Sequence, residues 1–140
     1  MTTHPHRQYR VSASVVLLVL QVTATALHVV PSLVYPVVAV RTTTRVVAQI
    51  NSLGPVWVLA FGISALILGA TLRLDRGQAH GHLICAAVWV MYATGLWIGS
   101  LAAEPHGAVF FPVITTFVII FHMLLAASYN EDAAGRPRRR

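Results

Sequence analysis

The stretch LICAAVWVMYATGLWIGSLAA, residues 83–103, contains no Asp, Glu, Lys or Arg. A helix needs about 20 mostly apolar residues to cross the hydrocarbon layer of a bilayer. Gly95 and Gly99 lie one turn apart inside this stretch, where in water they would weaken a helix. In lipid, small residues on one face instead allow a second helix to approach closely. The stretch therefore predicts a membrane-spanning helix with one closely packed face.

The composition of the whole chain also points to a membrane protein. Of the 140 residues, 56% are hydrophobic and only 10% are charged, whereas a typical soluble domain has roughly 25% charged residues. The mean hydropathy is +0.71. This number of charged groups cannot cover the surface of a soluble domain. We therefore expect lipid to surround most of the chain.

Four stretches of the chain are long and apolar enough to cross a bilayer. We expect helices at about 11–33, 54–73, 81–103 and 108–129. The connections at residues 73–80 and 103–107 are short, so consecutive helices must turn back on one another. The sequence thus predicts an all-α fold, an integral membrane four-helix bundle with antiparallel neighbouring spans.

The segments outside these spans are harder to assign. We expect residues 1–10 to form an N-terminal tail and residues 130–140 a basic, disordered C-terminal tail. Two interpretations stay open for residues 34–53: an interfacial amphipathic helix, or else an irregular loop or an extension of a neighbouring helix. The positions that recur at helical spacing in this region are Leu33, Val37, Val40, Thr44 and Val47.

Positive charge predicts the orientation of the chain. All ten basic residues are Arg, and the net charge is +6. The arginines expected on one side of the membrane are Arg7, Arg10, Arg73, Arg76, Arg136, Arg138, Arg139 and Arg140. Only Arg41 and Arg45 fall on the other side. Because arginines concentrate on the cytoplasmic side, we expect both termini in the cytoplasm. The charges follow the membrane surface and form no single stripe, which favours lipid headgroups over nucleic acid as their partner.

The N-terminal span also has features of a secretory signal peptide. Arg7 and Arg10 precede an apolar run, and Ala24 to Ala26 resembles a signal-peptidase site. The uncharged run continues well past Ala26, so we expect this span to be retained.

Two spans carry rows of small residues at helical spacing. The rows are Gly62, Ala65 and Gly69 in the second span, and Gly95, Gly99 and Ala103 in the third. Such rows allow close helix contact in lipid. They either pack the four spans of one chain together or form a subunit interface, and both interpretations stay open.

Polar residues within the spans are the candidates for function, because they are unfavourable in lipid. They are Gln21, His28, Thr115, Thr116 and His122. Each could bond to a neighbouring helix or face water in an assembly. No Asp or Glu lies within a predicted span, which excludes exporters that need an intramembrane carboxylate.

The remaining histidines and the single cysteine permit a weaker hypothesis. His80 and His82, with His4, His6 and Cys85, could bind a metal ion, and His82 with His122 could hold a haem. Neither idea has a supporting motif, and we expect no cofactor. The sequence around Ser64 lacks the second glycine of intramembrane serine-protease motifs. The predicted spans also contain no carboxylate that could orient a histidine for catalysis. We therefore expect a protein that is not an enzyme.

In its length, four spans, short connections, all-Arg basic residues and Arg-rich end at residues 136–140, the chain resembles small four-span membrane proteins of actinobacteria and their bacteriophages. Some of these proteins are holins. The resemblance implies a protein of the bacterial inner membrane that self-associates and permeabilises it. Gly95 and Gly99 would supply the contacts between copies. Two alternatives remain: an accessory protein that docks on another membrane protein or restrains an effector or toxin at the cytoplasmic face, and a haem- or metal-binding membrane subunit.

Overall fold

A computed structural model describes residues 5–29, 45–102 and 109–135 of the chain. Within these ranges the secondary structure is entirely helical, without strands. The helices are α1 (Pro5–Val29), α2 (Arg45–Ser52), α3 (Val56–Leu74), α4 (Gln78–Leu101) and α5 (Phe110–Gly135). All except α2 are long and apolar enough to cross a membrane.

The ends of the long helices differ from the sequence-based expectation. α1 begins at Pro5 and so includes part of the expected N-terminal tail; proline suits a first helical turn because its missing N–H has no partner there. α5 continues past Tyr129 to Gly135, so the first part of the expected disordered tail is helical. Asp132 in this extension bonds to Arg10 of α1, a tertiary contact that hydropathy cannot reveal.

Several predicted residues lie outside the described part of the chain. They are His4, Arg41, Ala103, Arg136, Arg138, Arg139 and Arg140, together with the side chains of His6, Arg7 and Arg45. The first connection is described only from residue 45 onward, and there it forms α2.

The short helix α2 lies against α4. Val47 is 1% exposed, and a Cβ added at Gly95 would lie 3.2 Å from Val47 Cγ2. The indole Nε1 of Trp57 donates a hydrogen bond of 3.0 Å to the Val47 carbonyl. The glycine face of α4 is therefore covered by this same chain.

The helices α3 and α4 lie close together at Gly81. A Cβ added at Gly81 would lie 2.5 Å from Thr71 Oγ1 and 3.3 Å from the Leu68 backbone Cα. Because the Leu68 backbone cannot easily move away, a larger residue at this position would crowd α3. The sequence predicts that the third span starts at about Gly81, whereas the helix already begins at Gln78.

Aromatic rings of α3 and α4 form the centre of the core. The ring of Phe61 lies 4.8 Å from Trp89 and 5.3 Å from Tyr92, and Trp57 lies 5.0 Å from Tyr92. These pairs meet edge to face, an arrangement that aromatic rings prefer. Each long helix also exposes large apolar side chains, such as Val16, Leu66, Met91 and Leu124. An apolar exterior of this kind matches lipid and would be unfavourable in water.

Candidate functional site

A pair of buried histidines joins α4 to α5. His82 and His122 are both fully buried, and their Nδ1 atoms lie 3.0 Å apart. A neutral imidazole carries one N–H and one lone pair, so one Nδ1 donates and the other accepts. From the sequence, His82 and His122 are paired only as possible haem ligands, and this hydrogen bond is not predicted.

The histidine pair is bonded onward to α1. Nε2 of His82 lies 2.9 Å from Ser14 Oγ, which in turn lies 3.0 Å from the hydroxyl of Tyr129. The Tyr129 ring stacks on His82 with centroids 5.7 Å apart. These contacts connect three helices through one line of polar groups.

An ion pair lies beside Tyr129, at one end of this line of polar groups. Arg10 donates hydrogen bonds to the carbonyl oxygen and hydroxyl of Ser128, at 3.0 and 3.2 Å, and to the carboxylate of Asp132. Its guanidinium also lies 5.5 Å from the centroid of the Tyr129 ring. The line thus runs from Arg10 to His122, whose Nε2 is buried without a hydrogen-bond partner.

A second polar cluster surrounds Gln21. The Gln21 side chain is fully buried; its Oε1 accepts a 2.6 Å hydrogen bond from Trp89 Nε1, and its Nε2 donates to Ser64 Oγ. Ser64 donates to the Ala60 carbonyl at 2.7 Å. The thiol of Cys85 donates to the Ser64 carbonyl at 3.5 Å. Gln21 is therefore bonded inside the bundle.

His28 lies about 21 Å along α1 from Ser14, at 1.5 Å of rise per residue. Its Nδ1 is 2.7 Å from the Ala24 carbonyl, and its ring stacks on Phe61 at 5.5 Å and meets Tyr92 edge-on at 5.4 Å. Its Nε2 is buried without a partner. The ring borders a cavity of about 260 Å³ between α1 and α5.

The two predicted threonines of α5 bond near Pro112, in the first turns of the helix. Thr115 and Thr116 each donate a 2.8 Å hydrogen bond to the Pro112 carbonyl. Thr116 also accepts a 3.3 Å bond from Trp97 Nε1. Both threonines thus bond within the chain.

The structure does not fit the proposed haem and metal sites. The Nδ1 atoms of His82 and His122 are at hydrogen-bonding distance, which leaves no space for a macrocycle between two axial imidazoles. His80 is exposed while His82 is buried, so the two do not converge. Among the described residues, no three His, Cys, Asp or Glu side chains form a group that could hold a metal ion.

A seven-residue spacing in the sequence would have revealed most of these groups. Two helical turns take about seven residues, so side chains at this spacing share one face. The inward sets are Ser14, Gln21 and His28; Trp57, Ser64 and Thr71; His82 and Trp89; and Thr115, His122 and Tyr129. Polarity within the spans predicts Gln21, His28, Thr115 and His122 as candidate functional residues. It does not predict Ser14 and Tyr129.

Ser14 and His82 also have the separation of a serine nucleophile and its base. Ser14 is fully buried, however, and the Tyr129 hydroxyl occupies its second contact. In this closed bundle the serine has no exposed surface at which a substrate would meet it.

Comparison with protein-family models, with curated proteins and with solved structures finds no match to this chain. The geometry of its own polar interior is therefore the basis for a functional proposal.

Proposed function

We propose that this protein permeabilises the bacterial inner membrane without catalysis, as holins do. In this proposal the four long helices are antiparallel spans and both termini are cytoplasmic, as the eight-to-two distribution of arginines favours. The protein would rest as the closed bundle and act when its spans separate.

The observation that carries this proposal is the contact surface between α1 and α5. α5 packs extensively on α4, whereas α1 packs mainly on α3 and meets α5 only to a small extent. At one end, Arg10 and Ser14 bond to α5. Further along, the 260 Å³ cavity separates α1 from α5. Side chains that border a cavity lack dispersion contacts on that side, so this surface is loosely packed.

Opening this surface would supply what a water-filled lesion needs. The groups behind it are polar, and they include Gln21, His82 and His122. Water could replace their present hydrogen-bond partners at little net cost, because hydrogen bonds exchanged with water contribute only about 1 kcal/mol each. The lipid-facing surface would stay apolar throughout.

A lesion also requires self-association, because four closely packed helices enclose no water-filled path. We assign the contact between copies to the groove between α1 and α3, which has a volume of about 700 Å³ and is lined by small residues, including Gly62, Ala65 and Gly69. A helix of a second copy could approach closely there. The face of α4 that contains Gly95 is not available for this contact between copies, because Val46 and Val47 already cover it.

The proposal is tested by inducing the gene in a bacterium and following membrane potential with a fluorescent dye. We expect an abrupt collapse after the protein has accumulated. The double variant Gln21→Leu with Ser64→Ala removes both side chains of this buried polar pair, so that only Trp89 Nε1, which bonds to Gln21, loses its acceptor. It should accumulate normally and permeabilise late or not at all. The matched control replaces an exposed threonine away from the cavity, Thr94→Val, and should behave as wild type.

Normal potential and growth at full accumulation of the wild-type protein would contradict permeabilisation. If another membrane protein then copurified in fixed ratio, the result would instead support an accessory protein that docks on a partner. A collapse that is unchanged in the Gln21 and Ser64 variant would instead contradict the role of the polar interior.

A further inference from the structure

We propose that the cavity beside His28 binds a small lipophilic aromatic alcohol, a molecule of the phenol or naphthol class, whose hydroxyl donates a hydrogen bond to His28 Nε2. This inference does not depend on membrane permeabilisation. It rests on the tautomer of His28, the size and lining of the cavity, and the route by which a ligand would reach it.

The hydrogen bond at Nδ1 determines the tautomer of His28. A backbone carbonyl only accepts, so Nδ1 must carry the hydrogen that bonds to Ala24. In the neutral ring, Nε2 then has a free lone pair and is a hydrogen-bond acceptor. Nε2 is buried and has no hydrogen-bond partner. A buried acceptor left unsatisfied is costly, and the group that would satisfy it is a donor.

The cavity has the volume and lining of an aromatic site. Its volume is about 260 Å³, and an apolar cavity of about 150 Å³ is large enough to bind benzene. Phe61, Trp89 and Tyr92 line it together with His28, so ring faces and edges are available to a planar ligand. One or two fused rings fit this space.

A water molecule is a poorer occupant than an aromatic alcohol. Buried water needs two to four polar partners, roughly, whereas the hydroxyls of Thr23 and Thr115 in the lining already donate to backbone carbonyls of their own helices and could only accept from it. Most of the remaining lining is apolar, such as Leu20, Leu96 and Val118. An aromatic alcohol satisfies Nε2 with one hydroxyl and fills the apolar remainder with its rings.

The ligand would enter from the lipid. Leu27, Phe111 and Ile114 line the cavity and are 45%, 53% and 43% exposed, respectively. These side chains belong to the apolar exterior of the long helices, so the mouth of the cavity faces lipid in a bilayer. A lipophilic molecule that partitions into the membrane would therefore reach the site without crossing water.

The test measures binding of 2-naphthol and 2-methoxynaphthalene to the purified full chain in detergent, by equilibrium dialysis against protein-free micelles. Both probes have the same rings, but only 2-naphthol donates a hydrogen bond. We expect 2-naphthol to bind about tenfold more tightly, the value of one hydrogen bond. His28→Phe keeps an aromatic ring beside Phe61 and should abolish this preference. Ile114→Trp fills the mouth and should weaken both probes.

The matched control is His80→Phe, which changes an exposed histidine outside the cavity and should leave the preference intact. Equal affinity for both probes, binding no greater than in protein-free micelles, or a preference retained in His28→Phe would overturn the proposal. If His28→Phe does not fold, the nitrogen-15 resonance of His28 Nε2 in the wild type decides. It should shift on addition of 2-naphthol, and an unchanged resonance would equally overturn the proposal.

Discussion

At the scale of single residues, His82 and His122 form one hydrogen bond but have unequal roles. His82 bonds through both nitrogens, to His122 and to Ser14, whereas Nε2 of His122 has no partner. Replacing His82 therefore removes a partner from two other helices: His122 Nδ1 is left without one, and Ser14 Oγ keeps only Tyr129. Replacing His122 removes a partner only from His82 Nδ1. This inequality gives a test of whether the polar line stabilises the bundle.

We predict that His82→Phe lowers thermal stability in detergent more than His122→Phe. Each variant leaves one imidazole nitrogen unsatisfied, so the difference should be the single Ser14–His82 hydrogen bond, about 1 kcal/mol. Circular dichroism during heating measures it, and the double variant completes a double-mutant cycle. Equal losses, or a larger loss for His122→Phe, would show that the Ser14 contact contributes nothing.

The sequence identified part of this site because intramembrane polarity is visible in a single chain. Gln21, His28 and His122 stand out in apolar runs. Ser14 does not, since serine is common in membrane helices and only the rotation of α1 turns it inward. The pairing of His82 with His122 depends on the relative height of two helices, which is a tertiary property. α4 starts at Gln78, before the expected residue 81, so His82 lies in the second turn of the helix rather than in the first.

At the scale of elements, the uncharged runs were sufficient to locate four long helices. The requirement of lipid for about 20 apolar residues acts along the chain, so hydropathy reveals it. Which face of each helix meets which neighbour is decided in three dimensions. Gly95 illustrates the limit, because its spacing with Gly99 is visible in the sequence while Val47 of α2, which covers it, is far away along the chain.

Two glycine substitutions of the same size should therefore act differently. A Cβ at Gly95 already lies 3.2 Å from Val47, whereas one at Gly69 lies 3.8 Å from Leu18, an ordinary contact. We predict that Gly95→Leu overpacks the α2–α4 contact and costs about 1–3 kcal/mol of stability. Gly69→Leu should keep the thermal stability of wild type and instead fill the groove between α1 and α3.

Cross-linking in membranes separates these effects, with heating in detergent as the second measurement. Gly69→Leu should reduce the yield of cross-linked oligomers at least severalfold. Gly95→Leu should lower the melting temperature. If Gly69→Leu forms as many cross-linked oligomers as wild type, the α1–α3 groove is not the contact between copies. If Gly95→Leu keeps the wild-type melting temperature, α2 moves away from α4 without loss of stability.

At the scale of the whole molecule, polar and apolar groups are arranged for lipid. Large apolar side chains face outward on every long helix, while the polar lines of Ser14 and Gln21 lie inside. In such a bundle the interior hydrogen bonds are satisfied only as long as the helices stay together. The contacts that hold α1 on α5 would consequently set the timing of any transition to a lesion.

The Arg10–Asp132 ion pair is the outermost of those contacts, and removing its carboxylate should hasten permeabilisation. In Asp132→Ala, Arg10 keeps its bonds to Ser128 but loses its charged partner, so α1 separates from α5 more readily. We predict an earlier collapse of membrane potential at equal protein accumulation. Glu131→Ala is the matched control, because it removes the same charge from an exposed neighbouring position and should keep wild-type timing.

If both variants act early, general loss of negative charge near the membrane surface explains the effect. If Asp132→Ala acts at the wild-type time or later, the contact between α1 and α5 does not govern opening.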